Sequence, residues 1–518
     1  MVGVPGRSKG CATCRKRKKG CDLQRPGCGQ CLRSGLECGG YDRQRIFINH
    51  TTPPSSALTV AAPPARRSSA APPVVPFDIL LPDALTRTAF ELKSLGLFWE
   101  AYLPKSMSFT PKNIQLTTGS WLGILDSIYH RETTLKYALL AISLATIGRQ
   151  RGDFWMVSQG YDSHGRALRE MAYALQTTER AQTDELIAAS KLLGLFEVCP
   201  SFLTSTVHSL IKARQILFGA DDKDAFAQAR SWSSHVKGEL VLFQARGPHA
   251  HIHGNAHALF VDGRFNTVSS AIKNPRQNPT NCLQMIQAAR ARKKSIFSEP
   301  EWKEVPWQAI PKTPKDALLD IMIDLPTLME SLDNFVEGDH DEDTKEALRA
   351  RLIQECWDAD RRLSEWVENM RLVVNLDLNE LIYVKRLGNF AAAQLVNLYW
   401  AACIMLFSVL QSANMSSFQP ETLPPRTDPR IYARKIARSA SYFFGPDAGI
   451  FGTHAASFPI GMALTVLLKA GKQEEEDRKL LTGIFNIPGV GVTIGKFLKS
   501  MRAGYNINQC RFRGPVSF

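Results

Sequence analysis

Apolar residues in the larger part of the chain recur every three or four positions, the spacing that places side chains on one face of an α-helix. Three segments follow this spacing most clearly: Leu135, Ala138, Leu139, Ile142 and Ala145; Leu186, Ala189, Leu193 and Phe196; and Leu348, Leu352, Cys356, Ala359, Leu363, Trp366 and Met370. Alternating apolar and polar positions, which would indicate strands, are scarce. The pattern therefore predicts a large, mostly α-helical domain over residues 77–518.

The segment 348–370 is long enough for a coiled coil of about three heptads. Its apolar face includes Cys356, Ala359 and Trp366, which are poor residues for a dimer seam. We therefore expect this face to pack inside its own domain. The sequence leaves open a homodimer that forms through another part of the chain.

Residues 387–410 form the most apolar segment of the chain. Their uninterrupted apolar part, Leu398 to Leu410, also contains Ser408, and Gln394 and Asn397 precede it. A helix that spans a bilayer needs about 20 predominantly apolar residues. The sequence therefore predicts a buried core helix here and no membrane contact.

The N-terminal part of the chain has a different composition. Residues 51–76 contain seven prolines, with Ala, Ser and Thr between them, and such a segment cannot build an apolar core. We expect three parts: a small domain at 1–45, a disordered Pro/Ala/Ser-rich linker at 46–76, and the helical domain at 77–518.

Positive charge is concentrated in the same N-terminal part. The whole chain has a formal net charge of +14, and residues 1–50 hold 11 Lys or Arg against three Asp or Glu. Residues 51–76 add Arg66 and Arg67 and no acid. A local excess of this kind indicates a polyanionic partner for the N-terminal segment.

Six of the 11 cysteines lie within residues 11–38. The N-terminus is basic and shows no apolar signal-peptide core, so we expect a reducing, intracellular compartment. Dense cysteines in such a compartment indicate metal binding more often than disulfides. The candidate ligands are Cys11, Cys14, Cys21, Cys28, Cys31 and Cys38.

The spacing of these cysteines is C-x2-C-x6-C-x6-C-x2-C-x6-C, and a shift of 17 positions superimposes the first three on the last three. The module is therefore an internal duplication. Structural zinc takes four tetrahedral ligands, so six sulfurs can serve two Zn2+ ions only if two sulfurs bridge. A module this small has no adequate apolar core, and metal binding must supply its folding free energy.

Residues 10–41, GCATCRKRKKGCDLQRPGCGQCLRSGLECGGY, resemble the zinc binuclear cluster domain of fungal transcription factors. The resemblance implies that Cys11 and Cys28 bridge two Zn2+ ions. One ion would be bound by Cys11, Cys14, Cys21 and Cys28, and the other by Cys11, Cys28, Cys31 and Cys38. It also implies a nuclear, sequence-specific regulator of RNA polymerase II genes that binds double-stranded DNA, and not an enzyme.

The same resemblance assigns roles to the basic residues. Arg17 and Lys18 are the candidates for reading a CGG-type triplet in the major groove, since Arg and Lys donate to guanine O6 and N7. The candidates for phosphate contacts are Arg15, Lys16, Lys19, Arg25 and Arg33. One departure from the family pattern is Gly20, where a basic residue usually precedes the third cysteine. Pro26 matches the family's loop proline.

The helical region resembles, more weakly, the regulatory domain found downstream of such clusters. The residues that carry this second resemblance are Trp232, His235, Leu240, Arg246, Gly247, Pro248, Gly254, His257, Leu259, Phe260, Arg264, Pro300, Glu301, Trp302, Pro306 and Trp307. It implies a helical domain that senses effectors and contacts coregulators or the transcription machinery. Control of a metabolic gene cluster is a role that such proteins have.

Two alternatives stay open from the sequence. The first is a corepressor or other interaction protein whose zinc module does not read DNA, for which Gly20 leaves room. The second is a metal-dependent enzyme that uses His249, His251, His253 and His257. Because that segment contains glycine and proline and has no acidic residue within it, a polar surface loop is the simpler interpretation. The acidic runs at 337–343 and 474–477 could contact transcription machinery or could be solvated loops.

Overall fold

The computed structural model describes residues 10–24, 27–39, 83–105, 109–198, 225–267, 294–417 and 419–487, together with Gly495. The chain divides into two compact units, residues 1–79 and 80–518. The described residues form α-helices and short 3-10 helices and contain no strand. The predicted fold class is thereby confirmed for the small N-terminal module and the helical body. The predicted linker 46–76 lies outside the described residues.

Within its described residues, the first unit contains two short helices, α1 (Ala12–Lys16) and α2 (Gly29–Arg33). The helices of the second unit are α3 (Asp83–Tyr102), α4 (Pro111–Ile114), α5 (Leu125–Ile128), α6 (Thr133–Arg151), α7 (Phe154–Ala174), α8 (Thr178–Ala181), α9 (Asp184–Val198), α10 (Ala225–Arg246), α11 (Gly254–Thr267), α12 (Pro300–Glu304), α13 (Pro314–Glu337), α14 (Glu342–Val374), α15 (Phe390–Met415), α16 (Pro429–Phe443), α17 (Gly449–Leu467) and α18 (Glu475–Gly483).

The three predicted apolar faces lie on α6, α9 and α14, and their residues are buried in the second unit apart from Leu348, which is half-buried. Helix α14 packs against α13 and α15 of the same unit. Its apolar face is therefore used inside the domain, as its composition indicates, and does not form an exposed seam.

Helix α15 is the most buried long helix of the described chain. Its most apolar 18-residue window is 94% buried inside the protein, and a second apolar helical stretch, Pro446–Leu467, is 83% buried. Gln394 Nε2 and Oε1 bond the hydroxyls of Thr118 and Thr117, at 2.7 Å each. Both stretches are long and apolar enough to cross a membrane, and in this structure each is a core helix.

Helices α6 and α7 approach closely because two glycines face the partner helix. A Cβ atom on Gly148 would lie 2.7 Å from the backbone nitrogen of Val157, and one on Gly160 would lie 2.7 Å from that of Ala145. Any side chain at either glycine would force the two backbones apart. This contact fixes α7, which bears His164, against the core.

Buried ion pairs connect the helices of the second unit. Lys315 Nζ lies 2.7 Å from Asp262 Oδ1, and Lys191 Nζ lies 2.6 Å from Glu239 Oε1. The guanidinium of Arg264 is fully buried and stacks 4.1 Å from the ring centroid of Trp307. Removing one partner of such a pair usually costs about 3–5 kcal/mol, because the other charge is left uncompensated in the interior.

Candidate metal centre and nucleic-acid interface

At the start of each short helix of the first unit, a cysteine sulfur accepts a backbone hydrogen bond. The backbone N–H of Cys14 donates to Cys11 Sγ at 3.3 Å, and the N–H of Cys31 donates to Cys28 Sγ at 3.3 Å. A second pair of bonds closes the longer loops: the N–H of Cys11 donates to Cys21 Sγ at 3.4 Å, and the N–H of Cys28 donates to Cys38 Sγ at 3.5 Å. The 17-residue repeat in the sequence is therefore repeated in the hydrogen bonds.

The six sulfur atoms form two groups that share two members. In each group the four sulfurs lie within 4.8 Å of one another: Cys11, Cys14, Cys21 and Cys28 in one, and Cys11, Cys28, Cys31 and Cys38 in the other. The shared sulfurs, Cys11 Sγ and Cys28 Sγ, are 3.7 Å apart. These groups have the same members as the two zinc sites that the family resemblance implies.

The sulfur groups fit zinc in size and chemistry. With Zn–S bonds of about 2.3 Å, tetrahedral geometry requires sulfurs about 3.8 Å apart. Cys14 Sγ and Cys28 Sγ are 3.6 Å apart, and Cys11 Sγ and Cys31 Sγ are 3.7 Å apart. Burial raises the pKa of the Cys14 and Cys28 thiols above the ordinary value. A bound cation would therefore be needed to keep these sulfurs as thiolates.

Both short helices end with the same capping motif. The N–H of Lys19 donates to the carbonyl of Cys14 at 3.1 Å, and the N–H of Leu36 donates to the carbonyl of Cys31 at 3.0 Å. This six-to-one bond requires a left-handed residue just before the donor. In the second half that residue is Gly35, with φ of +60°, and in the first half it is Lys18, with φ of +51°.

Side chains also connect the two halves of the module. Thr13 Oγ1 donates to the carbonyl of Glu37 at 3.0 Å and accepts the N–H of Gly39 at 2.9 Å. In the opposite direction, Asp22 Oδ1 accepts the N–H of Gly29 at 3.0 Å. These bonds fix the relative position of α1 and α2 independently of the sulfurs.

The basic run lies at the end of α1 and in the turn that follows it. Lys16 is the last residue of the helix, and Arg17, Lys18 and Lys19 follow it; all four are exposed. The two predicted base-reading residues, Arg17 and Lys18, are thus neighbours on a short turn at the helix end. The left-handed conformation of Lys18 was not predicted, although the 17-residue repeat pairs it with Gly35 and could have revealed it.

The remaining predicted phosphate contacts are less uniform. Arg33 lies on α2, in the other half of the module, and its side chain is 3.9 Å from Asp22 Oδ2 while remaining 75% exposed. That contact is weak enough to leave the guanidinium available to an external anion. Arg25, Pro26 and the side chain of Arg15 lie outside the described residues.

The histidine segment 249–257 does not bring its imidazoles together. The ring of His251 is buried and stacks on Phe260 with centroids 4.9 Å apart. His257 Nδ1 lies 2.9 Å from the carbonyl oxygen of His251. Among the described residues, the groups of candidate metal ligands include no member of this segment.

The expected surface loop is therefore only partly correct. His249 and His253 are exposed, whereas His251 is packed among aromatic rings because the 3-10 turn Pro248–His251 folds onto α11.

The acidic run 474–477 also differs from a solvated loop. Glu474 and Asp477 are buried, and each forms a two-point ion pair, with Arg434 and Arg438 respectively.

Comparison with known proteins adds an independent finding on the first unit. Residues 9–46 match the family model of the fungal Zn(2)-Cys(6) binuclear cluster domain. The chain is also similar to the arginine metabolism regulation protein II of Saccharomyces cerevisiae, with 58% identity over 40 residues. That alignment covers 7% of this chain and 4% of the relative. No solved structure matches the chain significantly.

These matches confirm the resemblance read from residues 10–41, and they confirm two zinc ions as the cofactors of this domain. They concern the first unit alone, and the role of the whole chain is inferred below.

Proposed function

From its Zn(2)-Cys(6) domain, we propose that this protein is a zinc-dependent, sequence-specific DNA-binding regulator of transcription that acts in the nucleus. The observation that carries the proposal is the exposed basic turn, Lys16 to Lys19, held at the end of a helix that begins at the cysteine cluster. A short helix with cationic residues at its tip suits the major groove of B-DNA, which is about 12 Å wide.

In this proposal Cys11 and Cys28 each bind both zinc ions. The other four cysteines, namely Cys14, Cys21, Cys31 and Cys38, each bind one. Zinc supplies the fixed geometry that a core of this size cannot provide, and six thiolates against two Zn2+ leave the cluster with a charge of −2. The adjacent Lys and Arg side chains partly offset that charge and remain exposed for DNA.

Arg17 and Lys18 are proposed to donate to guanine O6 and N7 of a CGG-type triplet. Arg15, Lys16, Lys19, Arg25 and Arg33 are proposed to contact phosphates, which fixes register and makes affinity depend on salt. Replacing a base-reading residue should relax sequence preference, whereas replacing Lys16 should weaken binding to every duplex about equally.

The helical body, residues 77–518, is proposed to regulate the DNA-binding module and to contact coregulators or the transcription machinery. Support for this role comes from the residues that resemble a regulatory domain, several of which meet in one place. Arg264, Trp307 and Phe260 stack together there, and Arg264 is paired with Asp316. A pathway-specific role at a metabolic gene cluster, and homodimerisation, belong to the same proposal.

The test is fluorescence anisotropy of the zinc-loaded full chain on CGG-containing and scrambled duplexes across a salt series. We expect chelator-sensitive preference for CGG, with affinity falling steeply as salt rises. Equal binding to both duplexes would contradict direct readout. No DNA binding at any salt concentration would instead favour the corepressor or interaction protein.

A further inference from the structure

Three helices of the second unit bring two histidines and a glutamate together outside the cysteine cluster. His164 lies on α7, Glu197 in the last turn of α9 and His235 on α10. One potential ligand atom from each of them lies within 4.8 Å of the other two, and His164 Nε2 is 3.6 Å from Glu197 Oε1. We propose that these three side chains bind a third divalent metal ion of the zinc class.

The distance between His164 and Glu197 suits such an ion. Zinc binds imidazole nitrogen at about 2.0–2.1 Å and carboxylate oxygen at about 2.0–2.2 Å, so two tetrahedral ligands lie roughly 3.4 Å apart. The 3.6 Å between His164 Nε2 and Glu197 Oε1 is already close to that value. His164 Nε2 is buried and makes no hydrogen bond within the described structure.

Neighbouring side chains hold the ligands in orientation. The ring of His164 stacks on Phe196 with centroids 4.2 Å apart and planes 14° from parallel. Ser231 Oγ donates to Glu197 Oε1 at 2.8 Å. Such outer contacts are typical of metal sites, where they fix the direction of the ligand lone pairs.

The charges in the cluster favour a cation. Burial raises the pKa of Glu197 and lowers the pKa of both His164 and His235 to about 4. Within the described chain, no Lys or Arg lies within ion-pair distance of Glu197. A divalent cation would use the two nitrogen lone pairs and compensate the carboxylate.

Three protein ligands leave one tetrahedral position open. At zinc sites with three protein ligands, a water molecule usually occupies the fourth position. A cavity of about 120 Å³ lies beside His235 and is also lined by Trp232 and Lys191. The ion would connect α9, which ends at Val198, to α10, which begins at Ala225, and both of them to α7.

The test counts metal ions on the full chain by native mass spectrometry after equilibration with excess Zn2+ and removal of loosely bound metal. We expect three ions on the wild-type chain and two on Glu197→Gln, a variant that keeps the side-chain volume. The matched control is the double variant H249A/H253A, which removes two exposed histidines and should keep three ions.

Thermal melting with and without added Zn2+ gives a second measurement. Zinc should raise the melting midpoint of the helical body in the wild type and not in Glu197→Gln, since an ion that binds only the folded state stabilises it. Two ions on the wild-type chain would overturn the proposal. So would three ions on Glu197→Gln, or the loss of one ion in the H249A/H253A control, because the third ion would then lie elsewhere. DNA binding by the N-terminal module is measured separately, so failure of this proposal leaves the proposed function standing.

Discussion

The two halves of the cysteine module share one backbone and differ in what they expose. After Cys14 the chain reads RKRKKG, and at the equivalent positions after Cys31 it reads LRSGLE. Both segments end a five-residue helix with the same capping bond, at 3.1 and 3.0 Å. The first half thus has five cationic residues in this segment where the second has one. The duplication supplies two equal metal-binding frames, and we expect only the first to read DNA.

The two halves also differ in the residue that adopts the left-handed conformation at the end of the helix. The second half uses glycine at the left-handed position, which is the ordinary choice. The first half uses Lys18, although a left-handed conformation costs a residue with a Cβ about 1 kcal/mol or more. A residue that keeps its side chain at such a position is a candidate for a functional role. The comparison therefore supports the proposed contact of Lys18 with DNA.

The largest expected effect comes from the shared sulfurs. Cys28→Ser removes a member of both sulfur groups, whereas Cys38→Ser removes a member of only one. Because zinc supplies the folding free energy of such modules, on the order of 10 kcal/mol per ion, Cys28→Ser should lose both cluster ions and all DNA binding. In Cys38→Ser one sulfur group stays complete, so we expect a larger fraction of its molecules to carry one cluster ion. Native mass spectrometry measures both, and two cluster ions on Cys28→Ser would contradict the bridging assignment.

Removal of metal from the wild type tests the same point without mutation. A strong chelator should abolish DNA binding and the structure of the first unit. It should leave most of the helical circular dichroism, which comes from the second unit with its large apolar core. Loss of most helical signal at the chelator concentration that abolishes DNA binding would show that the two units do not unfold independently.

The next effect concerns base readout, and the repeat provides the control. Arg17→Ala should weaken binding to a CGG site by roughly 1–3 kcal/mol and reduce the preference for CGG over scrambled DNA. Ser34→Ala changes the equivalent position of the second half and should change neither. Anisotropy titrations at one fixed salt concentration compare the two variants. An unchanged preference in Arg17→Ala would remove Arg17 from the base-reading role.

A smaller effect separates stability from recognition at the helix ends. Lys18→Gly should stabilise the module by up to about 1 kcal/mol, since glycine adopts the left-handed conformation at no steric cost. The same variant should bind DNA more weakly. Gly35→Ala should do the reverse and lower stability by about 1 kcal/mol with DNA contacts intact. Chelator competition measures the stability of the zinc module, and anisotropy measures DNA binding. If Lys18→Gly binds DNA more weakly only to the extent that it binds zinc more weakly, Lys18 does not contact DNA.

The smallest effect is a gain at Gly20, the position where this chain lacks the usual basic residue. A Cβ atom there would meet no atom within 4 Å, so Gly20→Lys should be accommodated without strain. One added phosphate contact should increase the salt dependence of binding, with a slope steeper by about one. Gly20→Gln is the uncharged control. Equal slopes in both variants would place this position away from the DNA backbone.

Much of this picture follows from local features of the sequence. Ligand spacing within the cysteine repeat and the three-four periodicity of the apolar residues are both properties of short segments. For that reason the metal module, the helices α6, α9 and α14, and the exposed basic run could all be predicted. The histidine segment illustrates the limit: four histidines close in sequence suggested a site, yet two of them pack into the body and two are exposed.

Cysteine spacing and helical periodicity act over a few residues, and for that reason they predict a two-zinc module with one cationic half, followed by a helical body. Which distant side chains meet depends instead on the tertiary structure. His164, Glu197 and His235 come from three helices, and their spacing along the chain carries no metal-binding motif. Their approach depends on how α7, α9 and α10 pack, and packing is set by contacts between residues that are far apart in the chain.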